Sequence, residues 1–191
     1  MKKEIDDALL MQRAAAILEE YKIVLPEEQQ AGIFVDEYLS IVRDILNRLY
    51  KADVTYGKTD TLVSVKGDIL IFQSVIGSGD NHFLAGIAVD EAVLKNAAND
   101  LYERSEAGVK LSGFGNTKEE AIDLFGEFLN SVNGICTFKF DSGFDLKLPG
   151  CHERMIVEAP RIYNIEMKIL SHKMSLFLIY GSSYNFEKVV S

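Results

Sequence analysis

The amino-acid sequence predicts an α/β fold of the α+β sandwich kind, with long helices packed on a mostly antiparallel sheet and a helix-plus-strands unit repeated about a pseudo-twofold axis. Three observations carry this. Helical periodicity and strand-like runs alternate in blocks: two helices then strands, and again two helices then strands. The helix before the strands of one block aligns without gaps on its counterpart. Phe34 to Ile45 sets against Leu124 to Ile135, with Glu37 on Glu127, Leu39 on Leu129, Ser40 on Asn130 and Val42 on Val132. Finally, 48% hydrophobic and 26% charged residues over 191 positions make a folded globule and exclude wholesale disorder, collagen-like repeats and mucin-like stalks.

Taken in order, residues 3 to 21 place Ile5, Ala8, Leu9, Ala15, Ile17, Leu18 and Tyr21 at helical intervals, so residues 1–24 read as a helical extension. Residues 25–191 form the main domain, with halves at about 26–89 and 117–181. Pro26-Glu27-Glu28 suits the first turn of a second helix, because proline tolerates the first helical position and acids suit the positive end of the helix dipole. That helix runs to about Tyr50. Strands follow at Asp53–Tyr56, Thr61–Val65, Asp68–Ile76 and His82–Ala88, with turns at Lys66-Gly67-Asp68 and Gly77-Ser78-Gly79-Asp80. Asp90 to Arg104 returns to helical spacing and Gly108 to Gly115 is a loop. Thr117 and Glu120 match a capping box, in which hydroxyl and carboxylate each satisfy a backbone N–H of the other. The helix they open is expected to end at about Asn133, stopped by Gly134. The remainder alternates strand signals: Ile135–Phe140, Phe144–Leu148, Met155–Glu158, Ile162–Leu170 and Met174–Tyr180.

Twenty basic and 29 acidic residues give a net charge of −9, which speaks against nucleic acid and anionic membrane surfaces as partners, since both select basic patches. Cys136 and Cys151 fit neither a disulfide framework nor a zinc site, and His82, His152 and His172 are too scattered to help. No metal is expected. Cys136 reads as a small buried hydrophobe, and Cys151-His152 as a loop-borne pair whose thiol is a candidate for reactivity. The N-terminus is charged where a signal peptide would be apolar, and the longest apolar runs are strand-length, so the expected location is the cytoplasm. Gly77-Ser-Gly-Asp-Asn is a hairpin turn rather than a phosphate loop, because no Gly-Lys-Ser/Thr follows it.

One constellation stands out. At helical pitch, Asp123, Glu127 and Asn130 fall within about 60° of each other, flanked by Glu120 and Gly134, opposite an apolar side of Phe125, Phe128, Leu129 and Val132. A solvated helix shows such a stripe without any function. Gly126 and Asn130, however, are poor or mediocre helix formers inside that helix, as though its surface must stay open to something close by. The corresponding face of the first helix reads Ile33, Glu37, Ser40, Ile41 and Asp44. There the acid is kept and the amide lost.

Asp123-x-x-x-Glu127-x-x-Asn130 with a downstream Pro149 resembles the signature of the CheC/CheX/FliY group of chemotaxis phosphatases, and Glu127-Phe-Leu-Asn130-Ser-Val-Asn-Gly134 is similar to its E-x-x-N-x-x-x-G. The resemblance spans about Phe34 to Tyr180. It implies hydrolysis of the aspartyl phosphate on a CheY-like receiver domain. Asn130 would orient the attacking water and Glu127 would pair with the receiver's lysine, while Asp123, Gly126, Gly134 and Pro149 meet the partner. It implies no cofactor of the chain's own, with Mg²⁺ supplied by the phosphorylated receiver, and a homodimer. The single intact motif resembles the CheX-like members. The interval from Asn130 to Pro149 is shorter than the family's, which a trimmed hairpin or a non-equivalent proline would each give. Two other functions fit the same fold: a non-catalytic module binding a receiver or flagellar switch, and a small-ligand domain with a pocket between sheet and helices.

Overall fold

A computed structural model describes residues 27–76, 83–104, 117–140, 145–153 and 156–180. The helix read over residues 3–21, the turn at 77–80 and the loop at 108–115 lie outside the described residues. Within them, the chain is an α+β fold in which helices α1 (Glu27–Tyr50), α2 (Glu91–Arg104) and α3 (Lys118–Phe140) pack on a seven-stranded antiparallel sheet. The strands are β1 (Val54–Lys66), β2 (Ile69–Ile76), β3 (Phe83–Val89), β4 (Asp145–Leu146), β5 (Gly150–Glu153), β6 (Ile156–Ile169) and β7 (His172–Tyr180).

The sheet order is β1-β6-β7-β3-β2, and β2 carries both β4 and β5 on its other side. Exchanging β1, β2 and β3 with β5, β6 and β7 maps this order onto itself reversed, which is the twofold that the helix alignment anticipates. Each half lends its two later strands to the centre.

The helix α1 buries Phe34, Val35, Tyr38, Ile41, Val42, Ile45 and Leu46, a stripe at three- and four-residue intervals facing the sheet. It ends where Lys51 turns to φ 48° and the Ala52 N–H reaches back to the Leu46 carbonyl at 3.1 Å. The capping box holds: Thr117 N–H donates to Glu120 Oε2 and Glu120 N–H to Thr117 Oγ1, each at 3.2 Å.

The runs read as separate strands at Asp53–Tyr56 and Thr61–Val65 join in β1, and those at Met155–Glu158 and Ile162–Leu170 join in β6; two further boundaries differ from the sequence reading. Gly134 does not stop α3, which runs on to Phe140, so Cys136 lies on a helix and Ile135–Phe140 is not a strand. The reason is tertiary. Val132, Asn133, Cys136 and Thr137 are buried together, and the Thr137 hydroxyl donates to the Gly134 carbonyl at 2.8 Å, so packing overrides the β propensity of the sequence. The second difference is β5, where Gly150–Glu153 pairs antiparallel with β2. Cys151 and His152 therefore sit on an edge strand, not a loop.

The central strands are buried on both faces. Helices cover one side, and on the other Val65, Leu70, Leu84, Val157, Ala159, Ile162, Phe177 and Ile179 make a second cluster. The long partners β1 and β6 contribute Val65, Val157, Ala159 and Ile162 to it. Their pairing shifts register between Tyr56 and Thr59 and between Leu62 and Ser64, and such irregularities bend strands, which brings Val65, Val157 and Ala159 over the central strands. This explains why every residue of β3 is buried.

Gly86 of β3 lies at the tightest point, where a Cβ would run into the Phe177 ring and come 2.8 Å from the Ile71 carbonyl. Because that carbonyl is backbone and cannot rotate away, Gly86→Ala is expected to destabilise the fold by about 1–3 kcal/mol. A lower urea midpoint with unchanged slope would register it.

Candidate functional site

The polar stripe of α3 is where the sequence places it. Asp123, Glu127 and Asn130 are exposed, Glu120 and Gly134 half-buried, while Phe125, Phe128, Leu129 and Val132 are buried against the sheet. The stripe is not uniformly solvated, however. One shoulder is walled by β2 and by the segment Lys147–Pro149 that joins β4 to β5.

Gly126 faces that wall. It is buried, and a Cβ there would stand 3.5 Å from Pro149 Cβ. A Cβ at that distance would be in ordinary van der Waals contact, so Pro149 packs beside this part of α3 without demanding a glycine there. Pro149 faces the motif helix across the shortened interval. Gly134 differs, since a Cβ there meets nothing within 4 Å. The segment is held by backbone as well as packing: Lys147 N–H donates to the Ser74 carbonyl at 3.2 Å. Leu148, between them, is 91% exposed, an apolar tip beside the stripe.

Beneath the stripe runs a buried polar chain. Tyr38 Oη–H of α1 donates to Asn133 Oδ1 at 2.7 Å, and Asn133 Nδ2–H donates to Gln73 Oε1 at 2.7 Å. Gln73 Nε2–H donates to Asn130 Oδ1 at 3.0 Å and to the Lys147 carbonyl at 2.6 Å. Gln73 and Asn133 are almost wholly enclosed. Burial also pushes the Tyr38 hydroxyl well above its ordinary pKa, so it stays protonated as a donor. Sequence reasoning missed Gln73, Asn133 and Tyr38 as members of this site. A signal existed for the first: Ile69, Ile71, Gln73 and Val75 alternate onto one buried face of β2, and a glutamine in that series asks for partners.

On the other shoulder Glu127 lies near Tyr50, whose hydroxyl is pushed up first by burial and then by the Glu127 charge. The start of α3 is tied down by Lys118, which bridges Glu153 of β5 and, at 3.6 Å, Glu91 of α2.

The first-half counterpart is differently built. Arg43, which aligns with Asn133, stacks over the Tyr56 ring at 5.4 Å, and Asp36 and Asp44 stand where the glycines are.

Other candidates lie apart from this site. Cys151 is half-buried, and its thiol is pushed up by burial and then by Glu153, with Lys118 opposing. His152 stacks on Phe72 at 5.4 Å. Among the described residues no group of three or more His, Cys, Asp or Glu gathers that could hold a metal, and no helix is long and apolar enough to cross a membrane. An open hollow of about 500 Å³, lined by residues such as Lys66, Ala88, Lys168 and Ser175, includes no residue of α3.

No protein-family model matches the sequence, and no curated protein matches it. Solved structures do. A CheC-like superfamily protein from Shewanella sp. PV-4 matches 77% of this chain and 96% of its own at 15% identity and TM-score 0.58. The chemotaxis protein CheX from Vibrio vulnificus matches 77% of this chain and 98% of its own, at 18% and 0.55. A chain of the CheX–CheY–BeF₃–Mg²⁺ complex from Borrelia burgdorferi matches 78% of this chain and 98% of its own, at 15% and 0.54. The chain thus has the fold of the CheC-like and CheX proteins.

Two outcomes follow from the local geometry. Gly134→Ala, free of steric cost, is expected to stabilise the protein by about 0.5–1 kcal/mol through helix propensity alone, seen as a raised Tm. The raised pKa leaves Cys151 less thiolate than an ordinary cysteine at pH 8, so its alkylation by iodoacetamide is expected to be slower in the native protein than in urea, as followed by mass spectrometry.

Proposed function

We propose that this chain is a CheX-like phosphatase of a phosphorylated CheY-like receiver domain. The observation that carries the reading is the pairing, on one exposed face of α3, of Glu127 with an Asn130 whose amide is held from beneath by Gln73. The fold, shared with a protein crystallised in a CheX–CheY complex, supplies the partner class.

Acyl-phosphate hydrolysis asks little of an enzyme beyond positioning. The water oxygen bonds to phosphorus as the phosphorus–oxygen bond to the aspartyl carboxylate breaks. The products are the free carboxylate and inorganic phosphate, and one proton passes to solvent or to a phosphate oxygen. Asn130 orients that water. Glu127 pairs with the receiver's active-site lysine, and the Mg²⁺ that neutralises the phosphoryl group comes with the receiver. Asp123 adds to the negative field facing that lysine, and Gly134 leaves room for the receiver surface beside Asn130. Leu148 offers an apolar contact at the rim. With Ser40 and Arg43 in place of the two asparagines, α1 has no second copy of the site, so there is one site per chain.

The test is dephosphorylation of a phosphorylated, Mg²⁺-bound receiver. Wild type is expected to accelerate phosphate release, Asn130→Ala to lower that gain about tenfold or more at unchanged affinity, and Glu127→Ala to raise KM roughly tenfold, the worth of one charge-assisted contact. Wild type and Asn130→Ala proving equally fast, or equally inert, would refute the mechanism. A tight complex without faster hydrolysis would make the chain a binding module.

A further inference from the structure

We infer that Gln73 is a positioning residue that fixes which end of the Asn130 amide faces outward, so that Asn130 presents N–H donors and not its carbonyl oxygen. This rests on reading the Asn130 face as a phosphatase site, and it adds a residue and a polarity to that reading.

Gln73 is 1% exposed, between Ile71 at 1% and Val75 at 0% on the same face of β2. A buried amide costs free energy unless its polar atoms are matched, and an apolar side chain would serve the sheet as well there. Gln73 has all its partners. They also determine its orientation. The Lys147 carbonyl can only accept, so the Gln73 atom 2.6 Å away is the amide nitrogen. The second hydrogen of that nitrogen then points at Asn130, 3.0 Å off, which must offer its oxygen. On the other side Gln73 Oε1 accepts from Asn133 Nδ2–H, and the remaining Asn133 oxygen accepts from Tyr38. One backbone carbonyl thus sets the sense of the whole chain of side-chain bonds.

The consequence falls on Asn130. With Oδ1 engaged, its Nδ2 turns outward, and among the described residues no group accepts from that nitrogen. An N–H donor holds a water through one lone pair and leaves the other free to approach phosphorus, whereas a carbonyl acceptor would hold the same water by a hydrogen. The donor face also suits anionic phosphoryl oxygens. Asn130 therefore orients the water by donation and takes no proton from it.

Two replacements of Gln73 test this, with Val75→Ala as a control for lost stability on the same strand face. Gln73→Glu keeps the acceptor for Asn133 but loses both donated bonds, and Gln73→Met loses all three. Each is expected to lower kcat about tenfold or more with KM within roughly threefold, while Val75→Ala lowers Tm and leaves kcat alone. In nitrogen-15 spectra the Asn130 side-chain amide is expected to be dispersed and ordered in wild type and averaged in Gln73→Met. Unchanged kcat in both variants, or an amide equally ordered in wild type and Gln73→Met, would overturn the inference. If wild type itself gives no turnover, the phosphatase reading fails on its own, and the amide order still decides whether Gln73 holds Asn130.

Discussion

The Lys147 carbonyl and the Gln73 amide, 2.6 Å apart, form the contact on which the candidate site depends. It ties the β4–β5 connection to the sheet. That connection places Pro149 beside Gly126 of α3, and Gln73 continues to Asn130 and Asn133 on the same helix. Through Asn133 the chain reaches Tyr38 of α1. Four separate segments are thereby locked by a few bonds whose donors and acceptors can be arranged in only one sense. A buried polar network satisfied in this way specifies geometry more than it adds stability, which suits the proposed role of Asn130 in holding a water in line.

The apolar framework makes such precision affordable. The central strands are packed on both faces, by helices on one and by the bent ends of β1 and β6 on the other. Position 73 is consequently deep and dry, and the hydrogen bonds made there are not contested by water. The duplicated halves use the same plan to different ends. In the second half the aligned positions hold Gly126, Asn130, Asn133 and Gly134, whereas in the first they hold Asp36, Ser40, Arg43 and Asp44. The first helix keeps the packing role without the amides, and its Arg43 is spent on the Tyr56 ring.

What the sequence makes legible follows from locality. The capping box at Thr117 and Glu120 and the exposed stripe of α3 involve residues within a few turns of each other, and helical geometry alone predicts them. Misread boundaries trace to long-range contacts. The runs Asp53–Tyr56 and Thr61–Val65 read as two strands, yet pairing with β6 along the whole stretch makes them the single strand β1. Ile135–Phe140 has strand-like residues, yet the burial of Cys136 and Thr137 keeps it helical. Gly150–Glu153 has little strand propensity and is a strand because β2 offers it an edge. The polar chain beneath the stripe is the extreme case, since Gln73 meets Asn130 across 57 residues. Sequence reasoning shows an out-of-place glutamine, while only the topology supplies its partner.

The central claim is that a partner's phosphoryl group is met at the one face where this network comes to the surface. The most direct measurement is a titration of the nitrogen-15-labelled chain with a Mg²⁺-bound receiver carrying beryllofluoride at its phosphorylation site. The account predicts that the Asn130 side-chain amide and the backbone amides of Asp123 to Gly134, Lys147 and Leu148 shift together, with Val63 of β1 and Lys173 of β7 unmoved. Shifts centred on β1 or β6, with the Asn130 amide unchanged, would contradict it.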